Sequence, residues 1–101
     1  MHKHDQYVEL LFEQLKDTDA YDTIYRGLPL YSTKGRLVGE IDLLAVNKYA
    51  VDIFEVKCSF RPVKAKKQLE RIVKVFDCKD DQDVSTWFYC GEAEKLVKIA
   101  K

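Results

Sequence analysis

Residues 39–57, GEIDLLAVNKYAVDIFEVK, set Glu40, Asp42, Glu55 and Lys57 into two short apolar runs. Carboxylates among Ile, Leu, Val and Phe are costly to bury unless a cation pairs with them or they hold a metal. Two such acids close together suit a hard divalent ion bound by carboxylate and carbonyl oxygens. The competing reading is a cross-strand salt bridge between Glu40 and Lys57, with Asp42 and Glu55 at a solvated sheet end.

Whether the charges meet depends on the hairpin that carries them. A two-residue loop at Lys48–Tyr49 sets Asn47 against Ala50, and a four-residue loop over 47–50 keeps the same register. Counting back, Asp42 falls opposite Glu55 and Glu40 opposite Lys57, while Leu44 meets Ile53 and Val46 meets Val51. Alternation places all of these on one face. Leu37, Ile41, Leu43, Ala45, Phe54, Val56 and Cys58 take the other, with Asp52 the exception near the turn. Carboxylates held directly across a ladder repel, and one has its pKa raised unless a cation intervenes.

The surrounding elements follow from periodicity. Val8, Leu11, Phe12 and Leu15 predict a helix over 5–16 with Asp5 as N-cap. His2 and His4 before it read as a mobile end rather than a metal site. Residues 21–31 are strand-like and broken by Pro29, STKGR turns the chain, and strands follow at 36–46 and 51–58. Pro62 opens a second helix with a core stripe of Ala65, Leu69, Ile72, Val73 and Phe76. After the loop CKDDQD comes a strand at 84–90 that includes Trp87, Phe88 and Tyr89 as packing residues. Gly91 ends it, and Ala93, Leu96, Val97 and Ala100 predict a short C-terminal helix.

The chain has 101 residues, 47% hydrophobic and 34% charged, with 17 basic and 17 acidic side chains. That describes a single domain over residues 1–101, with no run long enough for a membrane span and no signal-peptide core, hence a cytoplasmic protein. Cys58, Cys78 and Cys90 lack metal-ligand spacing and read as reduced, mostly buried thiols. Charge is unevenly spread. Residues 1–22 carry six acids against Lys3 and Lys16, whereas 57–74 carry seven cations against Glu70 alone. Such a block is either a polyanion-binding face or a solvated helix exterior.

The order of elements, with GEID at 39–42 and FEVK at 54–57, resembles the PD-(D/E)XK nuclease superfamily. GEIDLLA with FEVK is similar to its YraN-like branch, and EVKCS to archaeal Holliday-junction resolvases; the family's proline before the aspartate is replaced by Ile41. The resemblance implies an α/β fold with a restriction-endonuclease-like αβββαβ core, a mixed four-stranded sheet flanked by helices, plus the short C-terminal helix. It implies Mg²⁺-dependent phosphodiester hydrolysis of DNA, with Mn²⁺ as a substitute and junctions among the candidate substrates. Asp42 and Glu55 would hold the ion with the Val56 carbonyl, and Lys57 would position water or stabilise charge on phosphorus. The family often adds an acid from the first helix. Glu9, which flanks the apolar stripe more closely than Glu13, is the candidate here, and Glu40 is an accessory residue or a partner for Lys57. Relatives place a glutamine near the site in the second helix, which points to Gln68; Lys64, Lys67 and Arg71 beside it would hold the DNA backbone. A homodimer or a partner protein would then select the substrate. The alternatives are a non-catalytic nucleic-acid-binding subunit that keeps the fold, and a structural or oligomerisation module in which the charges are salt bridges.

Overall fold

A computed structural model describes residues 2–76 and 82–100 of the chain. Cys78 and most of the loop expected over 78–83 lie outside these residues. The elements are α1 (Lys3–Asp17), β1 (Thr23–Tyr31), β2 (Leu37–Val46), β3 (Ala50–Lys57), α2 (Pro62–Val75), β4 (Asp83–Cys90) and β5 (Lys95–Ala100). One mixed sheet runs in the order β1-β2-β3-β4-β5. Its parallel pair is β3–β4, which only a crossover can join, and α2 is that crossover. Thus the chain is an α/β domain with five strands, one more than expected. No helix among the described residues is long and apolar enough to cross a membrane.

The extra strand replaces the expected C-terminal helix. Ala93, Leu96, Val97 and Ala100 have helical spacing, but Val97 and Ile99 also alternate, and these two are the half-buried positions of β5. A tight turn over residues 91–94, with Glu94 at φ 50°, brings β5 back antiparallel to β4, pairing Cys90 with Lys95. Six residues are too few for an independent helix, whereas the free edge of β4 offers a ladder at once.

The helices cover opposite faces of the sheet. Leu11 and Leu15 of α1 pack with Leu43, Ala45, Phe54, Val56 and Tyr89. Leu69 and Ile72 of α2 pack with Ile41, Leu44, Val51 and Ile53, while Ala65 meets Phe88 and Cys90. Pro62 occupies the first turn of α2 as expected, but Val73 is exposed and does not join the core stripe. Pro29 does not break β1: it pairs with Glu40 in an edge strand, where its missing N–H costs no second ladder. Helix α1 begins two residues before the expected start. His2 is its N-cap position in place of Asp5, and His4 lies in its first turn rather than in a mobile end.

Asp52, the charged exception among apolar neighbours, is accounted for by its partners. Its carboxylate accepts from the Tyr21 hydroxyl at 2.5 Å and from Trp87 Nε1 at 3.1 Å, and Trp87 in turn stacks on Phe54. Cys90 is a buried free thiol and Cys58 a half-buried one, as expected of reduced cysteines.

Candidate functional site

The β2–β3 register is the one the loop dictates. Leu43 pairs with Phe54, Leu44 with Ile53, Ala45 with Asp52 and Val46 with Val51. The loop is Lys48–Tyr49: the Asn47 N–H donates to the Ala50 carbonyl at 3.0 Å. Asn47 Oδ1 accepts from the N–H groups of Tyr49 and Ala50, each at 2.8 Å, which locks the turn.

Past Leu43 the two strands part. Hydrogen-bonded pairs alternate along an antiparallel ladder, so Ile41 and Val56 would be next to exchange bonds. Instead the Val56 N–H donates to Asp42 Oδ2 at 2.8 Å. The Val56 carbonyl accepts from His4 Nε2 at 3.1 Å, and that nitrogen lies 3.4 Å from Asp42 Oδ2. A side chain from each neighbouring element has taken over the missing rung.

The same place breaks the alternation of β2. Ile41 packs toward α2 with Leu44, whereas Leu43 and Ala45 pack toward α1. In β1, pairing stops at Arg26↔Leu43 and resumes at Leu28↔Ile41, skipping Gly27 and Asp42. Gly27 has φ 60°, a conformation that a side chain disfavours. Asp42 consequently turns toward α1. With Glu40, Glu9, His4 and Arg26 it lines an open cavity of about 250 Å³. On β3, Val51 and Ile53 face α2, so alternation carries Glu55 and Lys57 to that side. The expectation that Glu40, Asp42, Glu55 and Lys57 share one face is therefore corrected: they flank a slit, two on each side.

Asp42 and Glu55 are the buried acids among the described residues, 7% and 4% exposed. Lys57 Nζ is 3.3 Å from Glu55 Oε2, so the expected Glu40–Lys57 pair is not formed. Glu40 is exposed and leans over Gly27. Burial, and next the charge of Asp42, push the Glu55 carboxyl from its ordinary 4.5 up to about 7, against the opposing pull of Lys57 and His4. Glu9 reaches the cavity, but Arg26 pairs with it while lying 4.2 Å over the Phe12 ring.

In α2, Lys64, Lys67 and Arg71 are exposed, and none forms an ion pair with a described residue. Gln68 Oε1 is buried and has no hydrogen-bond partner. Such an orphaned acceptor is unusual in a folded interior and fits a group that receives its donor from a ligand or a bound water.

The slit suits a divalent cation in donor chemistry. Asp42 and the Val56 carbonyl converge from one side, Glu55 holds the other, and His4 Nε2 already touches the first two. No ready group of three His, Cys, Asp or Glu side chains surrounds a single point among the described residues. His4 is the residue the periodicity missed. Extending the stripe of Val8, Leu11 and Leu15 back by one turn lands on it, so the signal was present. No family model, curated protein or solved structure matches the chain.

Proposed function

We propose that the chain is a Mg²⁺-dependent nuclease that hydrolyses phosphodiester bonds in DNA. The observation that carries this reading is the pair of buried carboxylates, Asp42 and Glu55, at an opened hairpin end with Lys57 in contact with one of them. Burying two acids whose charges act on each other is unfavourable in a purely structural hairpin, and a bound cation would offset the penalty.

Asp42, Glu55 and the Val56 carbonyl would hold the ion, and His4 Nε2 could join them only as the other tautomer, with its proton on Nδ1. When bound, such an ion supplies Lewis acidity to the scissile phosphate and acidifies a water. Lys57, a compact cation paired with Glu55, would stabilise negative charge that develops on the phosphoryl oxygens. Glu55 keeps Lys57 in place through their ion pair. Arg26 holds Glu9 at the cavity wall, where the carboxylate can orient water on the α1 side. Lys64, Lys67 and Arg71 would attract the backbone, and the buried acceptor of Gln68 would take its donor from a bound water or ligand. Substrate selection would rest on a second copy or on a partner protein.

The test is cleavage of labelled single-stranded, linear duplex and branched DNA with Mg²⁺ or Mn²⁺. Asp42→Ala, Glu55→Ala and Lys57→Ala should each lower the rate on the order of 10²–10³-fold while DNA binding persists. Wild type and variants that bind DNA and are equally inert would replace the enzyme by a non-catalytic nucleic-acid-binding subunit.

A further inference from the structure

Phe60 follows the site strand by three residues and is 50% exposed. Its ring meets Phe88 edge-on at 5.6 Å between centroids. Phe88 is fully buried and is the direct neighbour of Glu55 in the parallel β3–β4 pair. Phe88 packs with Ala65 of α2, so Phe60 lies on the α2 side of the sheet, against the strand next to Glu55. Beyond this edge contact, half of the residue stays open to solvent.

The border of this ring is cationic. Lys95 Nζ lies over the ring, 5.6 Å from its centroid, so a base that stacks on this face would take the place of the ammonium. Arg61, Lys64 and Lys67 are exposed on the adjoining first turns of α2, whose first turn contains no acid. Glu92 and Glu94 of the β4–β5 turn are the acids nearby, with the Glu92 N–H donating to the Cys58 carbonyl. A second copy of the same patch would set cations against cations, which disfavours self-association. An occupant that is flat, apolar on its face and joined to phosphates satisfies both the ring and its border.

Resting on the nuclease reading, we propose that Phe60 is a stacking platform for an unpaired DNA base beside the scissile phosphate. The preferred substrate class is then DNA with an unstacked nucleotide at the cut, single-stranded or at a single-strand/duplex boundary, over continuous duplex. Within a duplex the base faces are covered by their neighbours, and only the backbone contacts of Lys64, Lys67 and Arg71 remain.

The experiment measures metal-free binding, in chelator, of a single-stranded oligonucleotide containing 2-aminopurine and of its fully paired duplex. Wild type, Phe60→Leu and Phe60→Tyr are compared, with thermal melting to establish that each is folded. Phe60→Leu should lose single-strand affinity on the order of tenfold to a hundredfold and lose the stacking change in 2-aminopurine emission. Phe60→Tyr should keep both, and duplex affinity should be unchanged in all three. Equal weakening on single strand and duplex overturns the platform, as does no change or no DNA binding by wild type. Loss of a dimer on Phe60→Leu with DNA binding unaltered also overturns it and makes the patch a seam between copies. Cleavage in Mg²⁺ is read separately on the same proteins. Stacking without cleavage keeps the platform and sinks the nuclease, whereas cleavage without stacking does the reverse.

Discussion

Replacing Glu55 by glutamine keeps the size of the side chain and removes the charge that the fold holds most unwillingly. The folded protein raises this carboxyl from 4.5 to about 7, so it keeps its proton over a range in which the unfolded chain has released it. The stability tied to that proton is fully present below about pH 4.5 and is lost as pH rises through 7. At roughly 1.4 kcal/mol per pH unit, the loss is about 3 kcal/mol. Glu55→Gln imitates the protonated form and escapes the loss. It should therefore match wild type near pH ~4.5 and exceed it by up to about 3 kcal/mol near pH ~8, or roughly 10–20 °C in Tm for a chain of this size. The Gln amide oxygen can still accept from Lys57, which otherwise would be left without its partner and would reduce the gain. Urea or thermal unfolding in chelator across this pH range measures the difference directly. Divalent cation should then stabilise wild type near pH ~8 and leave Glu55→Gln almost unmoved. A Glu55→Gln protein that melts at or below wild type near pH ~8, or a gap that does not change with pH, refutes the claim that a buried charge governs this site.

Other parts of the fold make separate predictions. A Cβ at Gly91 would come within 2.3–2.5 Å of the Tyr7 ring, so Gly91→Ala should cost about 1–3 kcal/mol by urea unfolding and weaken cation binding through displaced α1. Asp42→Ala leaves the buried Val56 N–H without an acceptor and should cost about 1–3 kcal/mol, while Asp42→Asn should recover most of that but none of the cation-induced stabilisation. Asp52→Ala strands the Tyr21 hydroxyl and the Trp87 indole N–H, so denaturation should come earlier and Trp87 emission should shift. In β5, Val97→Asp should destabilise strongly whereas Lys98→Asp should be tolerated; equal effects would contradict an alternating strand.

The hairpin was legible because its two-residue loop leaves one register, and Asn47 fixes that loop with its own side chain. The facing of Asp42 was not legible. It depends on Gly27, fifteen residues earlier in a different strand, taking a positive φ that lets both strands change phase together. His4 was readable in the stripe of α1, but its contacts with Asp42 and Val56 require a tertiary docking that no local pattern reports. The last strand was misread because six residues satisfy both periods, and only the exposed edge of β4 decides between them. The exposed cations of α2 could be counted in the sequence. The buried oxygen of Gln68 could not, since it arises from how α2 lies on the sheet.

The seat of Tyr7 on Gly91 also has a temporal side. The first 57 residues already contain Asp42, Glu55, Lys57, His4 and Glu9. Yet the surface that receives α1 includes Tyr89 and the bare backbone of Gly91, which leave the ribosome only after the whole of α2 has followed Lys57. Until they emerge, the helix bearing His4 and Glu9 lacks part of its bed, and the opened hairpin end lacks the wall that α1 supplies. The slit is thus completed only once β4 has followed, although every residue that gives it chemistry precedes α2.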